Sequence, residues 1–282
     1  MKIKAYAKIN VGLDVVSKRE DGYHELNMVM LPIELYDLID IEPALEASFQ
    51  CTPPYRIRPE KNTLLKAIEV CRQARPFDTQ FKIHLHKTIP SQAGLGGGSS
   101  DAAAVINYLN DYFKWNLGDE EKISLAVKVG ADVPFCLFNK PAVVNGIGEK
   151  LAFFELKKPL HLILIQPHKG VSTKLAFKDL QIASLVHPHI EKITKALMEG
   201  HEEDLFNSMG NSLEDKAISL VPEIALIKKQ LLEYGLDFTM MTGSGSVVMG
   251  FSQDEALLHR AAKDLKTHYR FVRMTKVLDV LY

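Results

Sequence analysis

The sequence predicts an α+β protein of two domains, residues 1–157 and 158–282. Three observations lead to this prediction. The first ~50 residues contain short β-branched segments separated by polar turns, which is typical of strands. After residue 157, strands and helices follow the order βαββαβ once inserted helices are set aside, which is a ferredoxin-like arrangement. The charged segment ELKKP lies between the two patterns and marks the boundary.

In the N-terminal domain, strands are expected to alternate with helices. The segment FKIHLHK alternates apolar and polar side chains, which indicates a strand with one buried face. Asn62 or Thr63 is suited to begin a helix, because Asn and Thr side chains cap helix N-termini. The predicted strands are residues 11–16, 38–42 and 81–87, and the predicted helices are residues 63–75, 100–113 and 119–130.

The C-terminal domain has its own helix and strand signals. In PEIALIKKQLLEYG, proline lies in the first helical turn and glycine lies just past the end, as is usual for helices. Ser252 and Glu255 have the spacing of a capping box for a helix that ends near residue 268. The other predicted helices are residues 189–199, 202–218 and 222–235, and the predicted strands are residues 160–166, 237–241, 246–251 and 271–281.

Composition excludes several classes of protein. The 34 basic and 35 acidic side chains nearly balance, so nothing indicates a nucleic-acid partner or an acidic membrane surface. Three widely spaced cysteines, Cys51, Cys71 and Cys136, predict neither a disulfide framework nor a zinc site. The N-terminus lacks the apolar core of a signal peptide. We therefore expect a cytoplasmic protein, either a monomer or a homodimer.

The segment AGLGGGSSDAAA places four glycines within five positions, directly before a predicted helix. A helix N-terminus presents unpaired N–H groups, and glycines let a ligand approach the backbone. Ser99 or Ser100 is suited to cap this helix. The segment predicts a phosphate-binding loop, with a flexible turn as the simpler alternative. It is not a P-loop, because no lysine follows, and it lacks the later acid of a dinucleotide-binding turn.

Two N-terminal segments carry candidate functional side chains. In AYAKINVGLDV, Lys8 lies in apolar surroundings, where its ammonium group could neutralise a transferring phosphate. A solvated lysine at a sheet edge is the simpler interpretation of that segment alone. In DGYHEL, a turn presents Tyr23 and His24 together, a pair suited to a flat heterocycle. An ordinary hairpin would explain the same residues.

Two further turns are candidates. In VGADVPF, Pro134 predicts an extended backbone at Val133 and a stiff turn that holds Asp132 as a general base. A capping aspartate explains Asp132 equally well. The glycines of TGSGS indicate either a plain hairpin, which we favour slightly, or a close approach to a substrate. His84 and His86 have metal-ligand spacing, but their alternation with apolar residues favours a solvent-facing side of the strand.

Taken together and in this order, AKIN, REDGYHEL, PSQAGLGGGSSDAAA, GADVPF and TGSGS resemble the motifs of the GHMP small-molecule kinases, over residues 3–251. The resemblance implies a two-domain GHMP kinase fold, with a mixed α/β domain followed by a ferredoxin-like domain with a helical insertion. DGYH together with GADVPF resembles the branch that phosphorylates a cytidine-diphosphate-linked methylerythritol. The implied co-substrate is ATP with Mg²⁺, and the implied acceptor is a small molecule with a cytidine diphosphate group.

The resemblance also implies roles for individual residues. The catalytic pair is Lys8 and Asp132, with Asp132 as the base that takes the proton of the substrate hydroxyl. No residue is assigned to the metal. The residues implied for ATP are Asn62, Lys87, Gly94, Leu95, Gly96, Gly97, Gly98, Ser99 and Ser100, and those implied for the acceptor are Asn10, Tyr23, His24, Thr173, Phe177 and Gly243.

The sequence departs from the family pattern at two places. Tyr6 stands where proline is usual, and Ser91-Gln92 replaces the small residues common before the glycine run.

Three alternative functions remain. A GHMP-type kinase for a mevalonate-type or amino-acid alcohol would require cationic side chains to bind the carboxylate of its substrate. A non-catalytic nucleotide-binding homologue would have no need for both Lys8 and Asp132. A dinucleotide-dependent oxidoreductase would need the missing ribose-binding acid.

Overall fold

Two long strands, β1 (Lys2–Lys18) and β2 (His24–Ala44), begin the chain in the computed structural model, which describes residues 1–54 and 61–278. The sequence predicted only fragments of these strands. The remaining elements are β3 (Ser48–Thr52), α1 (Thr63–Ala74), β4 (Gln80–His86), α2 (Gly97–Tyr112), α3 (Asp119–Val129), α4 (Val133–Phe138), β5 (Ala142–Gly146), β6 (Lys150–Phe153), β7 (His161–Gln166), α5 (Thr173–Ala176), α6 (Ile190–Glu199), α7 (Glu202–Ser208), β8 (Gly210–Asn211), α8 (Glu214–Leu220), α9 (Glu223–Glu233), β9 (Phe238–Met241), β10 (Val248–Phe251), α10 (Glu255–Leu265) and β11 (Phe271–Lys276).

The described residues form two compact units whose sequence ranges interleave. The first unit contains Met1–Lys8, Leu35–Pro90 and Gly96–Asn139. The second unit contains Ile9–Glu34, Ser91–Leu95 and the chain from Lys140 onward. Both long strands therefore contribute residues to both units. The domain division between residues 157 and 158 stays a prediction.

In the first unit, helices α1 to α4 pack against one another beside strands β2, β3 and β4. The predicted helix start after Asn62 is confirmed, because the Asn62 side chain accepts a hydrogen bond from the backbone N–H of Leu64 at 3.0 Å. The predicted alternation of β4 is also confirmed: Phe81, Ile83 and Leu85 are buried. His84 and His86 lie on the opposite, partly exposed side of that strand.

In the second unit, β7, β9, β10 and β11 form an antiparallel sheet in the order β11-β7-β10-β9. Numbered by position in the chain, this is the order 4-1-3-2. Helix α9 precedes β9 and helix α10 precedes β11, so the predicted βαββαβ unit is confirmed. Strands β5 and β6 extend β2, and β8 pairs in parallel with β1.

The predicted helix over residues 202–218 is wrong. The chain forms α7 and α8 there, separated by the short strand β8. Glycine is a poor helix former, and Asn competes for backbone hydrogen bonds, so Gly210-Asn211 interrupts the helical pattern. The register pairs Gly12 with Gly210 and Leu13 with Asn211.

Three local predictions about helix starts are also wrong. Neither Ser99 nor Ser100 caps α2; Gly96 precedes the helix with a φ of 69°. Val133 is helical and not extended, because Pro134 lies in the first turn, where its missing N–H is not needed. Helix α10 is capped by Asp254, whose side chain accepts from the Leu257 N–H at 3.0 Å, and not by Ser252.

The last predicted strand, 271–281, is observed as Phe271–Lys276, and its residues 279–281 lie outside the described residues. None of the helices in the described part of the chain combines the length and the apolar character that crossing a bilayer requires.

Asp254→Ala is expected to lower the free energy of unfolding by about 1 kcal/mol, because α10 loses its capping acceptor. Urea denaturation followed by circular dichroism measures this change. Asp254→Asn is the matched control, since its amide oxygen can still accept from Leu257. Equal losses in the two variants would show that the side-chain oxygen does not cap the helix.

Candidate active site

In the first unit, Lys8 and Asp132 lie together, as the sequence motifs predicted. Lys8 extends from β1, and its side chain is only 4% exposed. Its Nζ lies 3.5 Å from Oδ2 of Asp132, whose side chain is 37% exposed. Lys8 is therefore not a solvated edge lysine. Asp132 directly precedes α4 but its side chain makes no capping hydrogen bond, so its carboxylate faces the ammonium group and solvent.

The glycine segment brings its backbone against polar side chains of the first unit. A Cβ atom on Gly96 would lie 2.9 Å from Cγ of Lys8, so only glycine allows the lysine stem to pass so closely. A Cβ on Gly97 would lie 3.2 Å from Nζ of Lys87. Two ammonium groups thus lie near the N-terminus of α2, whose unpaired N–H groups also favour anions.

Lys87 is held between two buried carboxylates. Its Nζ donates to Oδ2 of Asp37 and, at 3.0 Å, to Oδ2 of Asp101. Oδ1 of Asp37 accepts from the backbone N–H groups of Thr88 and Ile89, so the network also fixes the chain after β4. Oδ1 of Asp101 is buried without a hydrogen-bond partner among the described residues.

This network changes the protonation of its members. Burial raises the pKa of Asp101 to about 7, and the charge of Lys87 opposes this change only in part. Burial by itself lowers the pKa of Lys87, but the charges of Asp101 and Asp37 outweigh it, so the pKa is raised. Lys87 is therefore a stable cation, and Asp101 takes up a proton more readily than an ordinary aspartate.

The remaining candidate ATP residues of the first unit also have structural partners. Asn62 is buried and caps α1. Its neighbour Thr63 donates from Oγ1 to the Gly98 carbonyl at 2.6 Å, which ties α1 to the glycine segment. Ser100 is buried and donates from its hydroxyl to the carbonyl of Tyr6, whereas Ser99 is half-buried.

In the second unit, the first part of the glycine segment meets the late TGSGS turn. Residues 242–247 connect the antiparallel strands β9 and β10, so the hairpin interpretation is confirmed. A Cβ on Gly94 would lie only 2.1 Å from the Thr242 carbonyl oxygen, and Leu95 is buried. Gly243 also lies against this backbone, because a Cβ on Gly243 would lie 2.8 Å from the Gly94 carbonyl oxygen.

The candidate acceptor residues of the second unit form two groups. The rings of His24 and Phe177 lie together, with centroids 5.2 Å apart and planes tilted by 35°. Burial and the charge of Lys18 lower the pKa of His24, which favours its neutral ring. Tyr23 keeps 59% of its surface exposed.

The second group lies around the TGSGS turn. Thr173 Oγ1 lies 2.9 Å from Ser244 Oγ. The backbone N–H of Asn10 donates to Oγ1 of Thr242 at 2.8 Å, and the Asn10 side chain donates to the Met28 sulfur. The structure therefore brings Asn10, Thr173 and Gly243 to one turn.

Sequence reasoning assigned no site role to five residues that hold these groups in place. They are Asp37, Thr63, Asp101, Thr242 and Asn211, whose side chain donates to the carbonyl oxygens of Met241 and Gly243. Asp101 had a signal, because it is an acid within an alanine-rich helix start. Asp37 had no distinguishing signal, because Glu34, Asp40 and Glu42 lie in the same strand. Their common partner, Lys87, is separated from Asp37 by 50 positions and from Asp101 by 14, and it lies outside both of their elements, so no local pattern could have paired them.

Two family sequence models match the chain. Residues 62–140 match the GHMP kinases N terminal domain, and residues 185–270 match the GHMP kinases C terminal. A 4-diphosphocytidyl-2-C-methyl-D-erythritol kinase of Clostridium acetobutylicum is 38% identical over 281 residues, which cover 99% of this chain and 100% of the relative. A kinase of the same name from Bacillus cytotoxicus is 36% identical over 94% of this chain and 92% of the relative.

Solved structures give the same result. The crystal structure of a 4-(cytidine 5'-diphospho)-2C-methyl-D-erythritol kinase superposes with a TM-score of 0.82 and 32% identity, covering 98% of this chain and 99% of the other. A homoserine kinase from Cytophaga hutchinsonii superposes with a TM-score of 0.76 at 17% identity, covering 99% and 94%. The second similarity concerns the fold alone.

Asp101→Asn is expected to flatten the pH dependence of stability. Because the pKa of Asp101 is raised in the folded state to about 7, the folded protein binds this proton more tightly than the unfolded chain. Its contribution to the free energy of unfolding therefore falls as pH rises from about 4 to about 7. Urea denaturation at several values between pH 5 and pH 8 measures the slope.

The matched control is Asp111→Asn, an exposed position at the far end of the same helix, which should keep the wild-type slope. An unchanged slope in Asp101→Asn would contradict the assignment.

Proposed function

This chain belongs to the GHMP kinase family, and on that premise we propose that it phosphorylates the 2-hydroxyl of 4-diphosphocytidyl-2-C-methyl-D-erythritol. Family membership makes it a phosphotransferase with an alcohol acceptor and ATP as co-substrate, with the two-domain fold that the motifs predicted. The reaction belongs to the biosynthesis of isoprenoid precursors. We further propose a cytoplasmic monomer or homodimer without nucleic-acid or membrane partners.

The observation that carries the proposal is the Lys8–Asp132 pair beside Gly96. Phosphoryl transfer needs a positioned acceptor, removal of its proton and stabilisation of phosphate charge. Asp132 has an accessible carboxylate and serves as the base that takes the hydroxyl proton. Lys8 is buried and presents its ammonium group beside that carboxylate and the glycine backbone, where it stabilises charge on the transferred group.

The glycine segment is proposed to bind the ATP phosphates. Backbone N–H groups of residues 94–100 and the N-terminal end of α2 are the donors, and glycine permits their close approach. Asn62 and Lys87 are proposed to lie near the adenosine. Because two carboxylates offset the charge of Lys87, its proposed contribution is to position the chain after β4 and the backbone at Gly97.

Mg²⁺ belongs to the proposal as the ion that accompanies ATP. The described residues offer no group of three or more His, Cys, Asp or Glu side chains that could hold a metal by themselves. The described residues therefore fit an Mg²⁺ ion that is bound mainly by the phosphate oxygens of ATP, as is usual for Mg²⁺ in kinases. When bound, the ion would neutralise phosphate charge.

The acceptor is proposed to be recognised by its cytosine ring. His24, with a ring that favours the neutral form, and Phe177 provide adjacent aromatic faces, and Tyr23 is exposed for a further contact. Stacked or tilted aromatic contacts suit a flat base. Asn10, Thr173 and Gly243 would position the rest of the acceptor.

The test of this function is an ADP-release assay with a panel of cytidylated and plain alcohols. We expect turnover with 4-diphosphocytidyl-2-C-methyl-D-erythritol and little with mevalonate or homoserine. A preference for a plain alcohol that lacks cytidine would reject the substrate but not the family. ATP binding without turnover of any alcohol would indicate a non-catalytic homologue.

Asp132→Asn is expected to lower kcat by a factor of roughly 10² to 10³, because an amide cannot take the hydroxyl proton. The cytidine substrate should still bind, since Asp132 is not among the residues proposed to contact the base. Steady-state kinetics and calorimetric titration measure the two effects. Asp78→Asn, at an exposed position in the same unit, is the control. Near-normal turnover by Asp132→Asn would reject the base assignment.

Phe177→Ala is expected to raise KM for the cytidine substrate at least two- to tenfold, roughly the ~0.5–1.5 kcal/mol of an aromatic contact. The KM for ATP should change little. Leu175→Ala removes a comparably apolar, 47% exposed side chain from the same segment and serves as the control. An unchanged KM for the cytidine substrate in Phe177→Ala would show that the base binds elsewhere.

A further inference from the structure

Asn211 is a buried amide whose hydrogen bonds converge on the late turn. Its Nδ2 donates to the carbonyl oxygens of Met241 and Gly243, both at 2.9 Å. Its Oδ1 accepts from the backbone N–H of Leu213, also at 2.9 Å. The residue is only 4% exposed. Since a buried amide is costly unless its groups are bonded, these contacts explain why a polar residue is tolerated here.

A second contact holds the same turn from the neighbouring strand. The backbone N–H of Asn10 donates to Oγ1 of Thr242, which is fully buried. Asn211 lies in β8, which pairs with β1 through Leu13, three residues after Asn10. The two contacts to the turn therefore come from adjacent, hydrogen-bonded strands.

The turn at residues 242–247 also holds the start of the glycine segment. The N–H groups of Ser246 and Val247 donate to the carbonyls of Gln92 and Ala93, both at 3.2 Å. A Cβ on Gly94 would lie 2.1 Å from the Thr242 carbonyl oxygen, so the two backbones are in direct contact. Any shift of the turn must therefore shift Gly94.

We propose that Asn211 is a positioning residue for ATP, which fixes the first glycine of the phosphate-binding segment by holding the turn at residues 242–247. The inference rests on the proposed function only in taking residues 94–100 as the ATP-binding segment. Asn211 is not proposed to touch the nucleotide. It acts through the carbonyls of Met241 and Gly243.

Asn211→Asp tests this role with almost no change in shape. The variant keeps the acceptor for Leu213 but loses both donors and sets a carboxylate against two carbonyl oxygens. The matched control is Asn107→Asp, which removes a similar amide-to-carbonyl hydrogen bond, 2.9 Å to Leu137, in the first unit. The primary measurement is calorimetric titration with ATP in the absence of any acceptor, together with thermal unfolding.

We expect Asn211→Asp to fold and to bind ATP at least tenfold more weakly, while Asn107→Asp stays within twofold of wild type. In turnover, KM for ATP should rise by a similar factor, and KM for the cytidine substrate should rise as well, because Gly243 of the same turn is proposed to position the acceptor. Unchanged ATP affinity in Asn211→Asp overturns the proposal. An equal loss in both variants also overturns it, because that would reflect general destabilisation.

Thr242→Val provides a second variant should Asn211→Asp fail to fold. It keeps the shape of the side chain and removes the acceptor for the Asn10 N–H. A three- to tenfold weaker ATP affinity supports the proposal, and unchanged affinity overturns it. Because ATP binding is measured without acceptor, an inactive wild-type protein that binds ATP would count against the proposed substrate and not against the role of Asn211.

Discussion

The Lys8–Asp132 pair is the interaction on which the candidate active site depends. An ammonium group as buried as that of Lys8 needs a nearby negative charge, because an isolated buried ion is several kcal/mol unfavourable. Its partner is partly exposed, so the carboxylate remains accessible to a substrate. The pair forms because β1 delivers the lysine, the start of α4 delivers the aspartate, and Gly96 leaves room for the lysine stem.

The second lysine near the α2 N-terminus differs from the first in its surroundings. Lys87 lies between Asp37 and Asp101, both almost fully buried, so removing it would leave two buried carboxylates and cost on the order of 3–5 kcal/mol. Lys8 faces one carboxylate that solvent already reaches. The two lysines therefore differ in what their removal would leave behind: two buried carboxylates for Lys87 and a partly exposed carboxylate for Lys8.

A segment rich in glycine, such as residues 94–98, has little conformational preference of its own. Its position must therefore come from outside, and the structure shows two sources. In the first unit, Lys8, Thr63 and Lys87 approach Gly96, Gly98 and Gly97 respectively. In the second unit, backbone contacts with the 242–247 turn hold Gly94 and the residues before it. The contacts thus give the glycine segment a defined position.

The sequence by itself determined the features that depend on near neighbours in the chain. These include the Asn62 cap, the alternation of β4 and the βαββαβ order, whereas the pairing of the distant residues Lys8 and Asp132 was implied only by the resemblance of the motifs to a known family. The sequence-based prediction missed the break at Gly210-Asn211 and misplaced the cap at Asp254, because more than one local structure was compatible with the residues there. Only the tertiary structure decided that Asp37 and Asp101 share Lys87 and that Asn211 holds the late turn. Such contacts join residues far apart in the chain, and no periodicity or cap signal records which distant partner a buried polar group will find.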